Sequence, residues 1–299
     1  MPSNRVIGLD LGGTKILAGI VDGEGRVERN RETPTPVGSQ AELLDALEAA
    51  VRELLDGEIA AAGFGIPSTI DQQTGRVEGS VNIPLGELDF RAEMSQRLGL
   101  PVAIENDANA ATLAEFVAGA GRGAPTMVML TLGTGCGGGV VLDGKLYRGW
   151  AEFGHIVIEL DGLPCQGSCH GRGHLEPYVT GVAATKLAQD AFGPDADAHL
   201  LVRLASEGDE QALEILAGIG RRLGAGAGSL ANAFGAGIVV IGGGFGRAAF
   251  PFLHETALSV ARREALTPLD EELDIVPAEL GSMAGLIGAG LVAFEALRS

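Results

Sequence analysis

Residues 6–15 read Val-Ile-Gly-Leu-Asp-Leu-Gly-Gly-Thr-Lys. The bulky apolar residues of this stretch predict a short buried strand, and the Gly-Gly pair predicts a tight turn directly after it. The N–H groups of such a turn can approach an anion closely, and a carboxylate at the end of the strand can hold magnesium through water. A Gly-Gly pair between two apolar runs is also an ordinary hairpin turn, so the stretch alone leaves both interpretations open. The candidate phosphate- and magnesium-binding residues are Asp10, Gly12, Gly13, Thr14 and Lys15.

The same pattern occurs a second time in the chain. Residues 127–139 read Met-Val-Met-Leu-Thr-Leu-Gly-Thr-Gly-Cys-Gly-Gly-Gly, again an apolar strand that runs into a Gly/Thr turn. The offset between the copies is 121 residues at the turn, from Gly12 to Gly133, and 121 residues at the next corner, from Asp22 to Asp143. Two hairpins at one fixed offset predict two related domains. The candidate phosphate-binding residues of the second copy are Thr134, Gly135, Gly137 and Gly138.

Bulk composition limits the classes of partner. The chain has 299 residues and 46% hydrophobic content, which is enough for two domains with separate cores. Its net charge of −18 argues against nucleic acid and against an anionic membrane as partners. The first residues hold no export signal, and three cysteines are too few for a secreted disulfide framework. We therefore expect a cytoplasmic protein.

Three further segments narrow the interpretation. They are Glu-Asn-Asp-Ala-Asn-Ala-Ala at 105–111, Glu-Phe-Gly-His at 152–155, and the Cys/His-containing segment 165–176. The paired glycine hairpins resemble the superfamily of sugar kinases, heat-shock proteins and actin. Together with these segments, they make the chain similar over essentially its whole length to the ROK family of sugar kinases and sugar-responsive repressors.

This resemblance implies a two-domain, actin-like α/β fold with a nucleotide cleft between the domains. The expected smaller N-terminal α/β domain comprises residues 1–117 and 283–299. The expected larger C-terminal α/β domain comprises residues 118–282 and carries a zinc-binding loop. A third glycine turn, at Gly242 and Gly243, follows a predicted buried strand, and the resemblance places it against the adenosine of ATP.

Asp107 is the candidate catalytic residue. It lies where a predicted strand, 101–104, meets a predicted helix, 107–118, and ligands of open α/β sheets bind at this edge. An Asp at a helix start is also a common N-cap, so the position alone does not establish a catalytic role. The resemblance implies that Asp107 is the general base and that Asn106, beside it, contacts the sugar.

The segment after residue 154 is a candidate metal site. Two thiols and two imidazoles, from His155, Cys165, Cys169 and His174, would make a closed tetrahedral zinc site with a structural role. The family pattern is Cys-x-Cys-x4-Cys, whereas this chain has Cys-x3-Cys-x4-His, which leaves His170 as a rival for the last ligand. A loop with two free thiols, or a disulfide between the two cysteines, is the alternative.

The resemblance also implies the sugar pocket. Glu152 and Glu176 would accept hydrogen bonds from sugar hydroxyls, His155 would both bind the metal and touch the sugar, and Asn82 would contact the sugar from another loop. The expected reaction is transfer of the γ-phosphoryl group of ATP, bound with Mg²⁺, to the 6-hydroxyl of glucose. The expected assembly is a homodimer or a higher homo-oligomer.

Several alternatives to this function stay open. The sugar could be fructose, mannose, N-acetylmannosamine or N-acetylglucosamine, and the donor could be polyphosphate in place of ATP. A non-catalytic sugar-sensing regulator is also known in the family. Such repressors need a helix-turn-helix before the first domain, and the five residues Met1 to Arg5 cannot hold one, so we expect an enzyme.

Overall fold

The computed structural model describes residues 5–80, 83–167 and 169–297. These residues form two compact units, one from the described parts of Met1–Arg122 and Ser282–Ser299, the other from Gly123–Gly281. The strands of the first unit are β1 (Arg5–Leu11), β2 (Lys15–Asp22), β3 (Val27–Pro34), β4 (Ala62–Ile66), β5 (Thr69–Asp71), β6 (Arg76–Gly79), β7 (Leu88–Asp89) and β8 (Val102–Asn106). Its helices are α1 (Gln40–Arg52), α2 (Phe90–Leu98), α3 (Asp107–Ala118) and, from the end of the chain, α10 (Ala284–Ala296).

The second unit has the remaining elements. Its strands are β9 (Met127–Leu132), β10 (Cys136–Leu142), β11 (Lys145–Leu146), β12 (Ile238–Gly242) and β13 (Asp274–Pro277). Its helices are α4 (Glu176–Val179), α5 (Gly181–Phe192), α6 (Ala198–Ser206), α7 (Glu210–Phe234), α8 (Gly244–Glu264) and α9 (Leu269–Glu272). Short 3₁₀ helices lie at Phe153–His155 and Gly281–Met283.

The main sheet of the first unit has the strand order β3-β2-β1-β4-β8. Strands β1 and β2 form the antiparallel hairpin expected from the Gly-Gly pair, and β4 and β8 continue the sheet in parallel to β1. All five residues of β4 are buried, as expected for a parallel strand that is covered on both faces. A separate three-stranded sheet, β5-β6-β7, follows β4.

The second unit repeats this arrangement. Its five-stranded sheet has the order β11-β10-β9-β12-β13, in which β9 and β10 form an antiparallel hairpin and β12 pairs in parallel with β9 and β13. Helices α7 and α8 pack closely, because α7 presents glycine every fourth residue at their contact. A Cβ on Gly220 would lie 2.7 Å from the carbonyl oxygen of Leu253, and one on Gly224 would lie 2.3 Å from that of Ala257.

Helix α10 packs directly against the backbone of the first sheet. A Cβ on Gly8 of β1 would lie 2.1 Å from the carbonyl oxygen of Leu286, and one on Gly63 of β4 would lie 1.9 Å from that of Ala289. Neither distance leaves room for a side chain, so glycine at both positions permits this approach. The last helix is thereby fixed against the first and fourth strands. Among the residues that the structure describes, no helix combines the length and the apolar character needed to cross a membrane.

Candidate active site

The first glycine turn is closed by its own backbone. The N–H of Gly12 donates to the carbonyl of Lys15 at 2.9 Å, and the segment after β3 supports the turn, because the Thr35 hydroxyl donates to the carbonyl of Gly12 at 2.7 Å. Gly13, Thr14 and Lys15 are exposed. The Lys15 ammonium pairs with the Glu32 carboxylate at 2.7 Å. The structure thus presents the predicted phosphate-binding residues together on one exposed turn.

Asp10 lies at the end of β1, against the first turn of α10. A Cβ on Gly285 would fall 2.4 Å from the carboxyl carbon of Asp10, so this helix can cover Asp10 only with glycine there. Burial first, and the negative charge of Asp107 second, raise the pKa of Asp10 from 3.8 to about 7, while Lys15 acts in the opposite direction. The structure therefore brings the two predicted carboxylates close enough to repel each other.

Asp107 begins α3 at the end of β8, and Asn106 caps the helix. The Asn106 side-chain oxygen accepts hydrogen bonds from the N–H groups of Ala108 and Asn109, at 3.0 and 3.2 Å. Because Asn106 fills the N-cap, the alternative interpretation of Asp107 as the cap is wrong. A sugar contact by Asn106 would have to use its amide nitrogen. One oxygen of Asp107 accepts the N–H of Ala108 at 2.9 Å, which orients the carboxylate.

A buried carboxylate that the sequence did not indicate lies behind this junction. Glu105 is completely buried, and one of its oxygens accepts three hydrogen bonds. The donors are the Gln72 amide at 2.9 Å, the N–H of Asn106 at 3.0 Å and the Asn109 amide at 3.1 Å. A buried polar side chain is tolerated when it is hydrogen-bonded in this way, and the bonds fix the backbone that presents Asp107. No spacing signal connects Gln72 to Glu105, since the two are 33 residues apart.

The second glycine turn is tied to Glu176. The N–H of Gly133 donates to the carbonyl of Gly135 at 2.9 Å and closes the turn, while the N–H of Cys136 donates to one oxygen of Glu176 at 2.8 Å. A Cβ on Gly135 would lie 2.9 Å from that oxygen, so the carboxylate approaches only because residue 135 is glycine. The predicted sugar acceptor Glu176 thus also supports the turn. Within this copy, Thr134 is exposed, Gly137 is half-buried and Gly138 is buried.

Cys136 and Gly138 have packing roles in β10. Burial, followed by the charges of Glu176 and Glu152, raises the pKa of the Cys136 thiol to about 12, so the thiol stays protonated and is no nucleophile. A Cβ on Gly138 would lie 2.5 Å from the carbonyl oxygen of Met129, so packing within the sheet also requires glycine at this position.

The third glycine turn lies beside the second. Gly243 has φ +81°, and a Cβ there would lie 2.4 Å from the carbonyl oxygen of Leu132, the residue that precedes the second turn. Gly242 ends β12, which pairs with β9 at Thr131. The two predicted nucleotide-binding turns of the second unit are therefore neighbours at one edge of its sheet.

The predicted metal ligands converge. The ligand atoms of His155, Cys165, Cys169 and His174 all lie within 4.8 Å of one another. The Nδ1 atoms of the two histidines are 3.2 Å apart, and the cysteine sulfurs lie 3.5 and 3.6 Å from the nearest of these nitrogens. Both cysteines are free thiols, so the structure holds no disulfide between them. His170, the rival ligand, is exposed and outside this cluster.

The three shorter separations, 3.2, 3.5 and 3.6 Å, are close to those between the ligands of a tetrahedrally coordinated metal ion. Ligands about 2.0–2.3 Å from a central zinc would be separated by about 3.3–3.8 Å along the edges of the tetrahedron. Without an ion, burial and the neighbouring Cys169 thiol raise the pKa of Cys165 to about 11, so the thiol keeps its proton. A bound cation would favour the thiolate. The residues present therefore fit a structural metal.

The remaining predicted sugar contacts surround the start of β10. Glu152 is exposed and directly precedes the 3₁₀ helix that carries His155. A Cβ on Gly154 would lie 2.2 Å from the carbonyl oxygen of Cys136, so this helix lies against the beginning of β10, where Glu176 also binds. Asn82, predicted to contact the sugar, lies outside the described residues.

The raised pKa of Asp10 yields a stability prediction. Between about pH 4 and pH 7 the folded protein keeps a proton that the unfolded chain releases, so the stability contributed by this group falls as the pH rises through that window. Asp10→Asn removes the charge. We expect the variant to melt ~3 °C or more above the wild type at pH 8 in EDTA, and to match it near pH 4.

The measurement is the melting temperature between pH 4 and pH 8. Asp190→Asn, which neutralises an exposed carboxylate on α5, is the control and should leave the pH profile unchanged. Parallel profiles for Asp10→Asn and the wild type would contradict the prediction.

The chain is similar in sequence to a known protein family and its members. The profile of the ROK family matches residues 6–296. The glucokinase of Streptomyces coelicolor is 35% identical, over 97% of this chain and 97% of its own.

Two solved structures are similar to it. The ROK hexokinase from Thermus thermophilus has a TM-score of 0.85 and 34% identity, and the alignment covers 98% of this chain and 99% of that one. A ROK family glucokinase from Streptomyces griseus, in complex with glucose and AMPPNP, has a TM-score of 0.81 and 33% identity, over 97% and 99% of the two chains. The predicted two-domain, actin-like α/β fold is thereby confirmed.

Proposed function

This chain belongs to the ROK family and is an ATP-dependent kinase of the hexokinase type, and we propose that its reaction converts glucose to glucose 6-phosphate. The observation that carries the proposal is the position of Asp107. It begins a helix at the carboxyl end of β8, one of the three parallel strands of the first sheet, with its carboxylate oriented by a backbone N–H and with the buried Glu105 behind it. Ligands of α/β sheets bind at this edge.

Asp107 acts as the general base in this proposal. Its carboxylate accepts the proton of the 6-hydroxyl while that oxygen forms a bond to the γ-phosphorus of ATP. The bond between this phosphorus and the β–γ bridging oxygen breaks, and ADP leaves. The hydrogen bond that the carboxylate accepts from the N–H of Ala108 orients it, so less ordering is needed when the sugar binds.

Asp10 has a different role, which is to hold magnesium through water. The bound cation would neutralise charge that develops on the transferred phosphoryl group. The repulsion between Asp10 and Asp107 supports this assignment, because a nearby divalent cation would relieve the repulsion that helps to raise the pKa of Asp10. Oxygen donors are also the ligands that Mg²⁺ prefers.

The glycine turns bind the nucleotide. Around the first turn, Gly13 and Thr14 offer N–H groups and a hydroxyl to phosphate oxygens, while Gly12, whose N–H is bonded to the carbonyl of Lys15, lets the backbone turn close to them. Lys15 would exchange Glu32 for a phosphate, and this exchange costs little, since an exposed ion pair is worth about 1 kcal/mol or less. In the second unit, Thr134, Gly135, Gly137 and Gly138 would face phosphates, and Gly242 and Gly243 would lie against the adenosine.

The sugar is held by acceptors and donors matched to hydroxyls. Glu152, His155 and Glu176 lie around the start of β10. We propose Asn106 of the first unit as a further sugar contact, through its amide nitrogen. One oxygen of Glu176 is already bonded to the N–H of Cys136, which leaves the other for a sugar hydroxyl. A site whose polar groups pair with hydroxyls disfavours sugars that lack them, because an unpaired buried acceptor is costly.

We further propose a structural zinc held by His155, Cys165, Cys169 and His174. The ion would fix His155 and the start of α4, where Glu176 lies, and four protein ligands leave no coordination position for water. A homodimer or higher homo-oligomer and a cytoplasmic location complete the proposal. The free thiols of Cys165 and Cys169 fit a reducing compartment.

The assignment of the base is tested with Asp107→Asn, which keeps the shape of the side chain and removes its charge. Turnover should fall by roughly 100-fold or more, the usual contribution of a general base, while glucose still binds. The measurements are the rate of glucose-dependent ADP release and glucose affinity by calorimetry. Turnover close to that of the wild type would refute the assignment.

The zinc proposal is tested by metal analysis. Purified protein should contain about one zinc per chain, and Cys165→Ser should lose it, since one of four ligands is removed. Cys136→Ser is the matched control, because this third cysteine lies in β10 outside the cluster, and it should keep the metal. Full zinc occupancy in Cys165→Ser would exclude this ligand set.

A further inference from the structure

The loop that carries the candidate metal ligands Cys165, Cys169 and His174, here called the metal-ligand loop, is connected to the start of α5 by Gln166. The side-chain amide of Gln166 donates to the Thr180 hydroxyl at 2.9 Å, across 14 residues of sequence. Thr180 is completely buried and is the N-cap of α5, because the same hydroxyl accepts the N–H of Ala183 at 3.3 Å. An amide and a hydroxyl can exchange donor and acceptor roles, so this pair can bond in either amide orientation.

The start of α5 is in turn bonded to the second glycine turn. The N–H of Gly181, the first residue of the helix, donates to the carbonyl of Gly133 at 2.8 Å. A Cβ on Gly181 would lie only 3.2 Å from that oxygen, so the two backbones are in close contact. The position of α5 therefore determines the position of the residue at which the turn begins.

We propose that Gln166 is a positioning residue that holds the second glycine turn in its nucleotide-binding conformation through Thr180 and α5. This inference rests on the proposed function, which makes this turn a phosphate-binding element. Gln166 directly follows Cys165, and Cys169 is three residues further on, so the loop that carries Gln166 is ordered by the same residues that form the metal cluster.

The metal-ligand loop therefore positions residues for nucleotide binding as well as for sugar binding. Glu176 supplies a bond from this segment to Cys136 at one end of the turn, and Gln166 supplies the path to Gly133 at the other end. A turn held at both ends loses less conformational freedom when it wraps a phosphate, so it binds more tightly. Loosening one end should weaken nucleotide binding more than sugar binding.

The test is the variant Gln166→Ala, with AMPPNP and glucose affinities measured separately by calorimetry, and with zinc content measured on the same samples. We expect AMPPNP to bind about 3- to 10-fold more weakly, the effect of one lost hydrogen bond, while the glucose affinity and the zinc content stay at wild-type values. The KM for ATP should rise by the same factor, and kcat should change little.

Three further variants identify the path. Thr180→Ser keeps the hydroxyl and should retain nucleotide affinity, whereas Thr180→Val should lose at least as much affinity as Gln166→Ala, since it also removes the hydrogen bond from the N–H of Ala183. The double variant Gln166→Ala/Thr180→Val should bind AMPPNP no more weakly than Thr180→Val alone, because both changes remove the same bond. Gln189→Ala, an exposed glutamine near the other end of α5, is the matched control and should bind as the wild type does.

Unchanged AMPPNP affinity in zinc-loaded Gln166→Ala would overturn the inference. Loss of zinc from this variant would overturn it as well, since Gln166 would then act by retaining the metal. Both outcomes differ from failure of the proposed function, which would show as an absence of sugar-dependent ADP release by the wild type.

Discussion

The contact between α10 and the backbone of β1 and β4 is the constraint on which the candidate catalytic edge of the first unit depends. The helix approaches the strands within van der Waals distance only because Gly8 and Gly63 carry no side chains. Its first turn then covers Asp10, again through a glycine, Gly285. Burial of Asp10 beside Asp107 follows from this packing, and the raised pKa follows from the burial. The packing therefore buries the Asp10 carboxylate, and its ionisation lowers the stability of the fold. The same position suits the binding of a cation, and functional groups often lower stability in this way.

Much of this architecture could be predicted from the sequence, because local patterns determine it. The repeated strand–glycine turn predicted both hairpins, and α3 spans the predicted residues 107–118. Helix α8 was not predicted, since glycines at its start and Pro251 inside it disfavour a helix locally. Its packing on the glycine stripe of α7 overrides that preference. Such contacts join segments that are distant in sequence, so the residue pattern of either segment alone does not predict them.

For the candidate site too, some features could be predicted from the sequence and others depend on tertiary contacts. Residue types and spacing, together with the family resemblance, were enough to nominate Asp10, Asp107 and the metal cluster, and the structure brings the members of each group together. The supporting bonds were not predictable. Asn106, not Asp107, caps α3, and Gln72 reaches Glu105 from a different sheet. The hydrogen bond from the N–H of Cys136 to the Glu176 carboxylate joins residues that are 40 positions apart. In each case a polar side chain finds a partner that only the tertiary fold supplies, and these bonds orient the groups assigned to the chemistry.

The central claim is that this chain is a kinase whose polar pocket is matched to the hydroxyls of glucose. The most direct measurement is sugar-dependent ADP release at saturating Mg-ATP, with kcat/KM compared for glucose, mannose, fructose, N-acetylglucosamine and N-acetylmannosamine. The account predicts that glucose has the highest kcat/KM, and that both N-acetylated sugars rank well below it, because an acetamido group leaves a hydroxyl-binding acceptor unpaired. An N-acetylated sugar in first place, or ADP release that does not depend on any sugar, would contradict it.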